Sequence, residues 1–276
     1  MKPNCKVIAI TNQKGGVGKT ITSASLGACL ANDGKKVLIV DFDPQGNLTK
    51  ALGYRDPRTY KHSLKEALFN EINEMEIKKV DYIIHTEENF DIIPSNISLS
   101  GVDIQLSSIM SRETVFKRVL SYFKDDYDYI LVDSNPALNL FTINSLTAAD
   151  SVIIPVQAEP FATDGLFDLM RTISSAKKQL NPDLKIDGIL ITMTDSRTNL
   201  SKHIANEVRD KYGMKIKVFE TEIPRSVKMA EASLSGQSPI KYAPNSEAAI
   251  AYGKFAKEVD KLNEKGITKI RSQFVR

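Results

Sequence analysis

Residues 7–20 constrain this chain more than any other stretch. An apolar run, Val7-Ile8-Ala9-Ile10, leads into Lys14-Gly15-Gly16-Val17-Gly18-Lys19-Thr20, and a helical pattern opens near Lys19. Strand, glycine-rich loop and helix, in that order, are the context a phosphate-binding loop requires. The glycines let backbone N–H groups converge on an anion, and the helix N-terminus adds partial positive charge. Lys19 is placed to reach β- and γ-phosphates, and the Thr20 hydroxyl to ligate Mg²⁺. The ordinary pattern G-x-x-x-x-G-K-[ST] has its first glycine where this chain has Gln13, so the match fails there. A solvated glycine turn would account for the glycines alone. It would not account for the Lys-Thr ending or for the carboxylates downstream. The nucleotide-binding stretch is therefore read as Lys14, Gly15, Gly16, Val17, Gly18, Lys19, Thr20 and Ile21.

Two strand-like runs end in acids. Lys36-Val37-Leu38-Ile39-Val40-Asp41-Phe42-Asp43 reads as a strand buried on both faces, followed by Pro44-Gln45-Gly46-Asn47. Acids at the C-terminal ends of parallel strands lie where doubly wound sheets bind ligands. Only one of Asp41 and Asp43 is expected to face the nucleotide. Tyr127-Asp128-Tyr129-Ile130-Leu131-Val132-Asp133 has the Walker B pattern, and an acid at Asp133 would hold Mg²⁺ directly or through water.

These motifs resemble one family. KGGVGKT is a deviant Walker A motif, and the run ITNQKGGVGKT is similar to the ParA/Soj branch of the ParA/MinD ATPases. The resemblance implies that Lys14 reaches across an ATP sandwich dimer to the partner's phosphates. It also implies that Asp43, in the signature DxDPQGN, orients or activates the attacking water. Catalysis would then rest on Lys14, Lys19 and Asp43, the metal on Thr20 and Asp133, and ATP with Mg²⁺ would be the cofactors. Met193 and Pro224 would flank the adenine, and Arg197 and Lys228 fall where the family contacts DNA backbone. The family usually has arginine at Lys228, and two prolines after the Walker B acid where this chain has Asn135-Pro136 in the segment Ser134–Leu138.

The rest of the chain alternates in kind. A first helix spans 20–32, and residues 53–88 read only as short helices with Tyr82-Ile83-Ile84 as an edge strand. Phe90–Ser95 is a strand, and Leu99–Ile109 and Glu113–Phe123 have helical periodicity. Strands follow at Ser151–Gln157, Ile186–Met193 and Lys217–Ile223, with a helix from Thr163 to Leu180 and a helical pattern from Ser246. The expected fold is α/β, a doubly wound, mostly parallel sheet with helices on both faces, P-loop NTPase-like. A chain of 276 residues with 42% hydrophobic content suits a single domain, 1–276, with 264–276 as a flexible basic tail.

A net charge of +3 suits a chain that meets nucleic acid without proving it. Cys5 and Cys29 offer no metal spacing and no disulfide framework, and no apolar run approaches ~20 residues, which points to the cytoplasm. By resemblance the chain would be a DNA-segregation ATPase for a plasmid or chromosome, associated with the nucleoid. An ATP-driven homodimer would bind double-stranded DNA without sequence preference, and a ParB-like centromere-binding partner would stimulate slow hydrolysis. No membrane partner is expected. The alternative is a MinD-like membrane-cycling ATPase, for which the stripe Ile267, Ile270 and Phe274 is a poor anchor. A redox protein like the nitrogenase iron protein needs cysteines past the Walker B strand, and none follows Cys29.

Overall fold

The computed structural model describes residues 5–137, 139–160 and 162–274; for residue 164 and for 265–274 the description is of the backbone alone. The apolar runs form seven strands: β1 (Lys6–Ile10), β2 (Val37–Phe42), β3 (Ile84–His85), β4 (Asp91–Ile93), β5 (Tyr129–Ser134), β6 (Ser151–Gln157) and β7 (Lys185–Thr192). They build one sheet in the order β3-β4-β2-β5-β1-β6-β7. Every neighbouring pair is parallel except the edge pair β3–β4. The expected doubly wound sheet is present, with β1 between β5 and β6 near its middle.

Helices fill the crossovers, α1 (Lys19–Asn32), α2 (Asn47–Ala51), α3 (Leu64–Ile72), α4 (Ser100–Ser107), α5 (Val115–Ser121), α6 (Leu140–Ala148) and α7 (Asp164–Gln179), and α8 (Asn199–Tyr212), α9 (Val227–Ser235), α10 (Pro239–Tyr242) and α11 (Glu247–Phe274) follow the last strand. Strand alternation divides the apolar residues between two cores. Val7 and Ala9 of β1, with Leu38, Val40 and Phe42 of β2, face the cluster built by α3 to α8. Ile8, Ile10, Val37 and Ile39 face the other way, onto α1, α2, α9 and α11. Both faces are dry, which is why the strands read as unbroken apolar runs.

The structure corrects one strand and adjusts others. Lys217–Ile223 is not a strand. It runs extended beside β7 and touches it through isolated bridges, Ile189 to Val218 and Thr194 to Pro224. A second acidic-strand boundary shifts too: β2 stops at Phe42, so Asp43 stands beyond it. The edge strand near 82–84 is β3, two residues long, with Tyr82 buried ahead of it. Backbone helicity continues through Phe274. Leu138, the apolar stripe at Ile267, Ile270 and Phe274, and the side chains of the basic tail beyond 264 lie outside what is described. Among the described residues no helix is long and apolar enough to cross a membrane.

Candidate functional site

The loop between β1 and α1 is held from several sides. Gly16 and Gly18 have φ of 76° and 88°, a region where a Cβ is disfavoured, and Gly18 caps α1. The Thr192 hydroxyl, at the end of β7, donates to the Val17 carbonyl across 2.9 Å. Asn12 donates to the Pro155 carbonyl at 2.7 Å and accepts from the Lys14 backbone at 3.0 Å. Lys19 turns inward: it is 8% exposed, and its ammonium donates to the Lys14 carbonyl at 3.1 Å. Burial lowers its pKa, while the charges of Asp133 and Asp43 work the other way. Lys14 is exposed, and among the described residues its ammonium is engaged by no hydrogen bond or ion pair. Gln13, which replaces the first glycine of the ordinary loop, has its amide nitrogen buried without a partner among the described residues.

Strand register brings the acids to this loop. Asp133 pairs in register with Ile10 on one side and Asp41 on the other, so both carboxylates end up at the C-terminal edge facing α1. The Thr20 hydroxyl donates to Asp133 Oδ2 at 2.8 Å and Ser23 to Oδ1 at 3.0 Å. Burial, then the charge of Asp41, pushes the Asp133 carboxyl up to about 7, against the pull of the two hydroxyls and Lys19. A hydroxyl and a carboxylate are hard oxygen donors, the set that Mg²⁺ takes when phosphates and waters complete its shell. No cluster of three or more His, Cys, Asp or Glu side chains suited to a metal exists among the described residues.

Asp41 and Asp43 separate for a reason other than alternation, since positions two apart on a strand share a face. Asp41 is inside the strand and inside the protein, 1% exposed, and it serves as an anchor. Its Oδ2 accepts from the Thr49 hydroxyl at 2.6 Å and the Thr49 backbone at 2.9 Å, and its Oδ1 from the Asp43 backbone. Burial raises its pKa to about 6. Asp43 lies on the turn after β2, where its Oδ1 accepts from the Gln45 backbone at 2.9 Å and its carbonyl from the Ser95 hydroxyl at 2.9 Å. Ser95 N–H in turn donates to Thr49 Oγ1. The Asp43 turn is therefore pinned by α2 and by the end of β4.

A mostly apolar cleft opens beside Gly18, lined by Ile21, Met193, Pro224, Met229 and Tyr252 among others. The structure thus brings Met193 and Pro224 together with the loop. Met193 holds φ of 54°, left-handed, and the Thr194–Pro224 bridge fixes the two cleft walls to one another. Arg197 and Lys228 lie off this site. Arg197 is bidentate to Asp195 at 2.9 Å on each oxygen, and Lys228 pairs with Glu231 at 3.1 Å. Asn135 is buried and accepts from the Thr142 hydroxyl, a bond the family's proline could not make.

Sequence reading missed Ser23, Thr49 and Ser95. Ser23 stands one helical turn beyond Lys19 and Thr20, so its spacing could have placed it on the Asp133 side of α1. Thr49 and Ser95 carried no signal, because their roles depend on which segments meet in space.

A family model described as an AAA domain matches residues 5–186. The chain is similar to the sporulation initiation inhibitor protein Soj of Bacillus subtilis, 48% identical over 92% of this chain and 98% of that protein. It is 41% identical to the chromosome partitioning protein ParA of Caulobacter vibrioides over 92% of this chain and 93% of the other. Its fold is similar to that of cobyrinic acid a,c-diamide synthase from Mycobacterium smegmatis with bound ATP analog and magnesium. That likeness has a TM-score of 0.82 and 37% identity, and covers 95% and 97% of the two chains.

Proposed function

The chain belongs to the family of the Soj and ParA partitioning ATPases, and from that premise we propose that it is an ATP-switched DNA-segregation protein. ATP with Mg²⁺ joins two chains face to face, the dimer binds double-stranded DNA without sequence preference, and slow hydrolysis resets it. A ParB-like protein bound at the centromere speeds that reset. The two relatives of higher identity carry this reading, and the synthase activity of the structural relative is not carried over.

The observation that supports it best is the opposite disposition of two lysines on one loop. Lys19 is buried within its own site, whereas Lys14 is exposed and has no acidic partner among the described residues. An unpaired ammonium at the rim of a phosphate site is free to meet a phosphate held by a second chain.

The site divides into roles. Backbone N–H groups of Gly15 to Thr20 cradle the phosphates, and Lys19 neutralises them. The adenine enters the cleft of Met193 and Pro224. Thr20 and Asp133 would hold Mg²⁺, which when bound neutralises phosphate charge as the γ-phosphoryl group passes to water. Asp43 orients that water, while Asp41 stays a buried anchor. Arg197 and Lys228 exchange Asp195 and Glu231 for DNA phosphates. Slow hydrolysis makes the ATP state persist, and that state selects DNA binding.

Co-sedimentation or gel shift on random-sequence duplex DNA, with ATP, ADP and no nucleotide, tests the reading. Binding confined to the ATP sample is expected. Equal binding in all three would remove the switch. ATP-dependent sedimentation with liposomes and not with DNA would favour a membrane-cycling protein instead.

A further inference from the structure

α9 touches both halves of the site. At its N-terminal end Met229 and Ala230 line the base cleft, while Lys228 points outward beside them. Its C-terminal end meets the segment that follows α2. Leu48 and Leu52 share one apolar cluster with Met229, and α2 packs against α9. Gly53 and Gly236 meet backbone to backbone. A Cβ on Gly236 would lie 2.8 Å from the Gly53 Cα, and one on Gly53 would lie 3.2 Å from the Gly236 carbonyl oxygen. Their φ values of 96° and 72° also disfavour a side chain. Arg55 closes the contact by donating to the Ser233 and Leu234 carbonyls at 3.2 and 2.8 Å. Those are end-of-helix carbonyls, which lack intrahelical partners and carry partial negative charge.

The other end of α2 is bonded to the acids. Asp41 grips Thr49 through its backbone and hydroxyl, and Ser95 ties Thr49 to the Asp43 carbonyl. Leu52, Gly53 and Arg55 follow Thr49 within two turns of chain. A movement of the Asp43 turn therefore reaches α9 through covalent chain, hydrogen bonds and one close backbone contact.

We propose that the Gly53–Gly236 contact, clasped by Arg55, is the joint through which the Asp41–Asp43 strand end sets the position of α9, with Arg55 as its positioning residue. The joint transmits nucleotide state to Lys228, and this output rests on the reading of Lys228 as a DNA contact. Arg55 touches neither the nucleotide site nor the DNA surface. Its loss leaves both sites intact and weakens the link between them.

Hydrogen exchange of the α9 amides, residues 227–235, in the full chain with Mg·ATP and with Mg·ADP tests the joint without any DNA. In the wild type, α9 exchange is expected to differ by at least about fivefold between the two nucleotides, the lower range of allosteric couplings. Arg55→Ala and Gly236→Ala, approached from the two sides of the contact, should shrink that difference, with Arg55→Lys intermediate because it keeps the charge and one donor. Equilibrium dialysis of ATP serves as the folding control and should stay within about twofold, under ~0.4 kcal/mol. If α9 exchange ignores the nucleotide in the wild type, or responds equally in a folded Arg55→Ala, the joint is wrong. Loss of α9 response together with a reduced ATP-over-ADP preference for DNA supports it. Failure of the DNA reading shows separately, as a Lys228→Ala variant that binds DNA at full strength.

Discussion

The Thr20 hydroxyl donates to Asp133 Oδ2 across 2.8 Å, joining the first turn of α1 to the end of β5. That bond sets two hard oxygens side by side, a hydroxyl and a carboxylate, to which phosphates and waters would add the rest of a Mg²⁺ shell. Lys19, the preceding residue, is directed to the same space by the helix that begins with it. Lys19 and Thr20 on α1 thus converge with Asp133 on β5, and the variants below separate the contributions proposed for phosphate, metal and acid.

Lys19→Ala should abolish nucleotide binding, because a buried ammonium and its charge-assisted contacts to phosphate are lost. Equilibrium dialysis with ATP measures this directly. An affinity within about threefold of wild type, under ~0.7 kcal/mol, would mean that Lys19 is not the phosphate lysine.

Nucleotide-free protein should lose stability as pH rises from about 4 to about 7 and change little above that. Asp133 titrates at about 7 and Asp41 at about 6 in the folded chain, both raised by burial from 3.8. A raised carboxyl pKa means the folded state holds the proton more tightly than the unfolded one. The stabilisation is complete below the unfolded pKa and is lost as pH climbs through 6 and 7. Urea midpoints across this range should fall for the wild type and fall less for Asp133→Asn, whose side chain stays neutral. Parallel curves for the two proteins would show that Asp133 does not titrate there.

Asp43→Ala should separate binding from hydrolysis. ATP-dependent dimers should form and persist while phosphate release falls roughly 10²-fold or more, the scale for losing a positioned general base. Asp41→Ala is expected to act differently, because Thr49 and the Asp43 backbone lose a buried acceptor and the fold itself is weakened. A folded Asp43→Ala with normal turnover would refute its role.

The contrast between these two acids shows how far the sequence was legible. Sheet class, helix alternation and the phosphate loop follow from local apolar runs and from glycines next to a Lys-Thr pair, so they were readable. Asp133 was readable as well, because an acid ending a buried strand is itself a local pattern. The placement of Asp41 against Thr49 and of Asp43 on a turn was not, because it depends on β2 ending at Phe42 and on Thr49 and Ser95 arriving from other segments. Lys217–Ile223 misled because its apolar residues are buried by α11 and β7 without a ladder, which a pattern of burial cannot distinguish from a strand. The Ser63–Glu66 capping box that starts α3 was visible in a region read only as short helices, and its spacing would have fixed that start.

Lys14→Ala should retain ATP binding and lose dimer stability, turnover or both. Its ammonium is exposed and held by no acid among the described residues, so the affinity of a single chain for ATP should change little. Light scattering with ATP and a phosphate-release assay check this together. Wild-type dimerisation with wild-type turnover would refute a role across the interface.

Arg197 and Lys228 are expected to meet DNA phosphates only in the ATP dimer. Both side chains are largely exposed, and each is held by one acid, Asp195 or Glu231, which phosphate would replace. Exposed pairs of this kind stabilise a protein little, so the exchange costs little. Two copies of each residue give four phosphate contacts and a salt slope of up to about 3.6, since each neutralised phosphate adds ~0.9 to the log–log dependence. Arg197→Ala combined with Lys228→Ala should weaken binding to all sequences alike and flatten that slope, with ATP-driven dimerisation intact. The basic tail is the competing source of affinity, and truncation after Asn263 should matter much less than the double variant. Should truncation abolish DNA binding while the double variant binds normally, the DNA surface is the tail and these two residues are ordinary solvated charges.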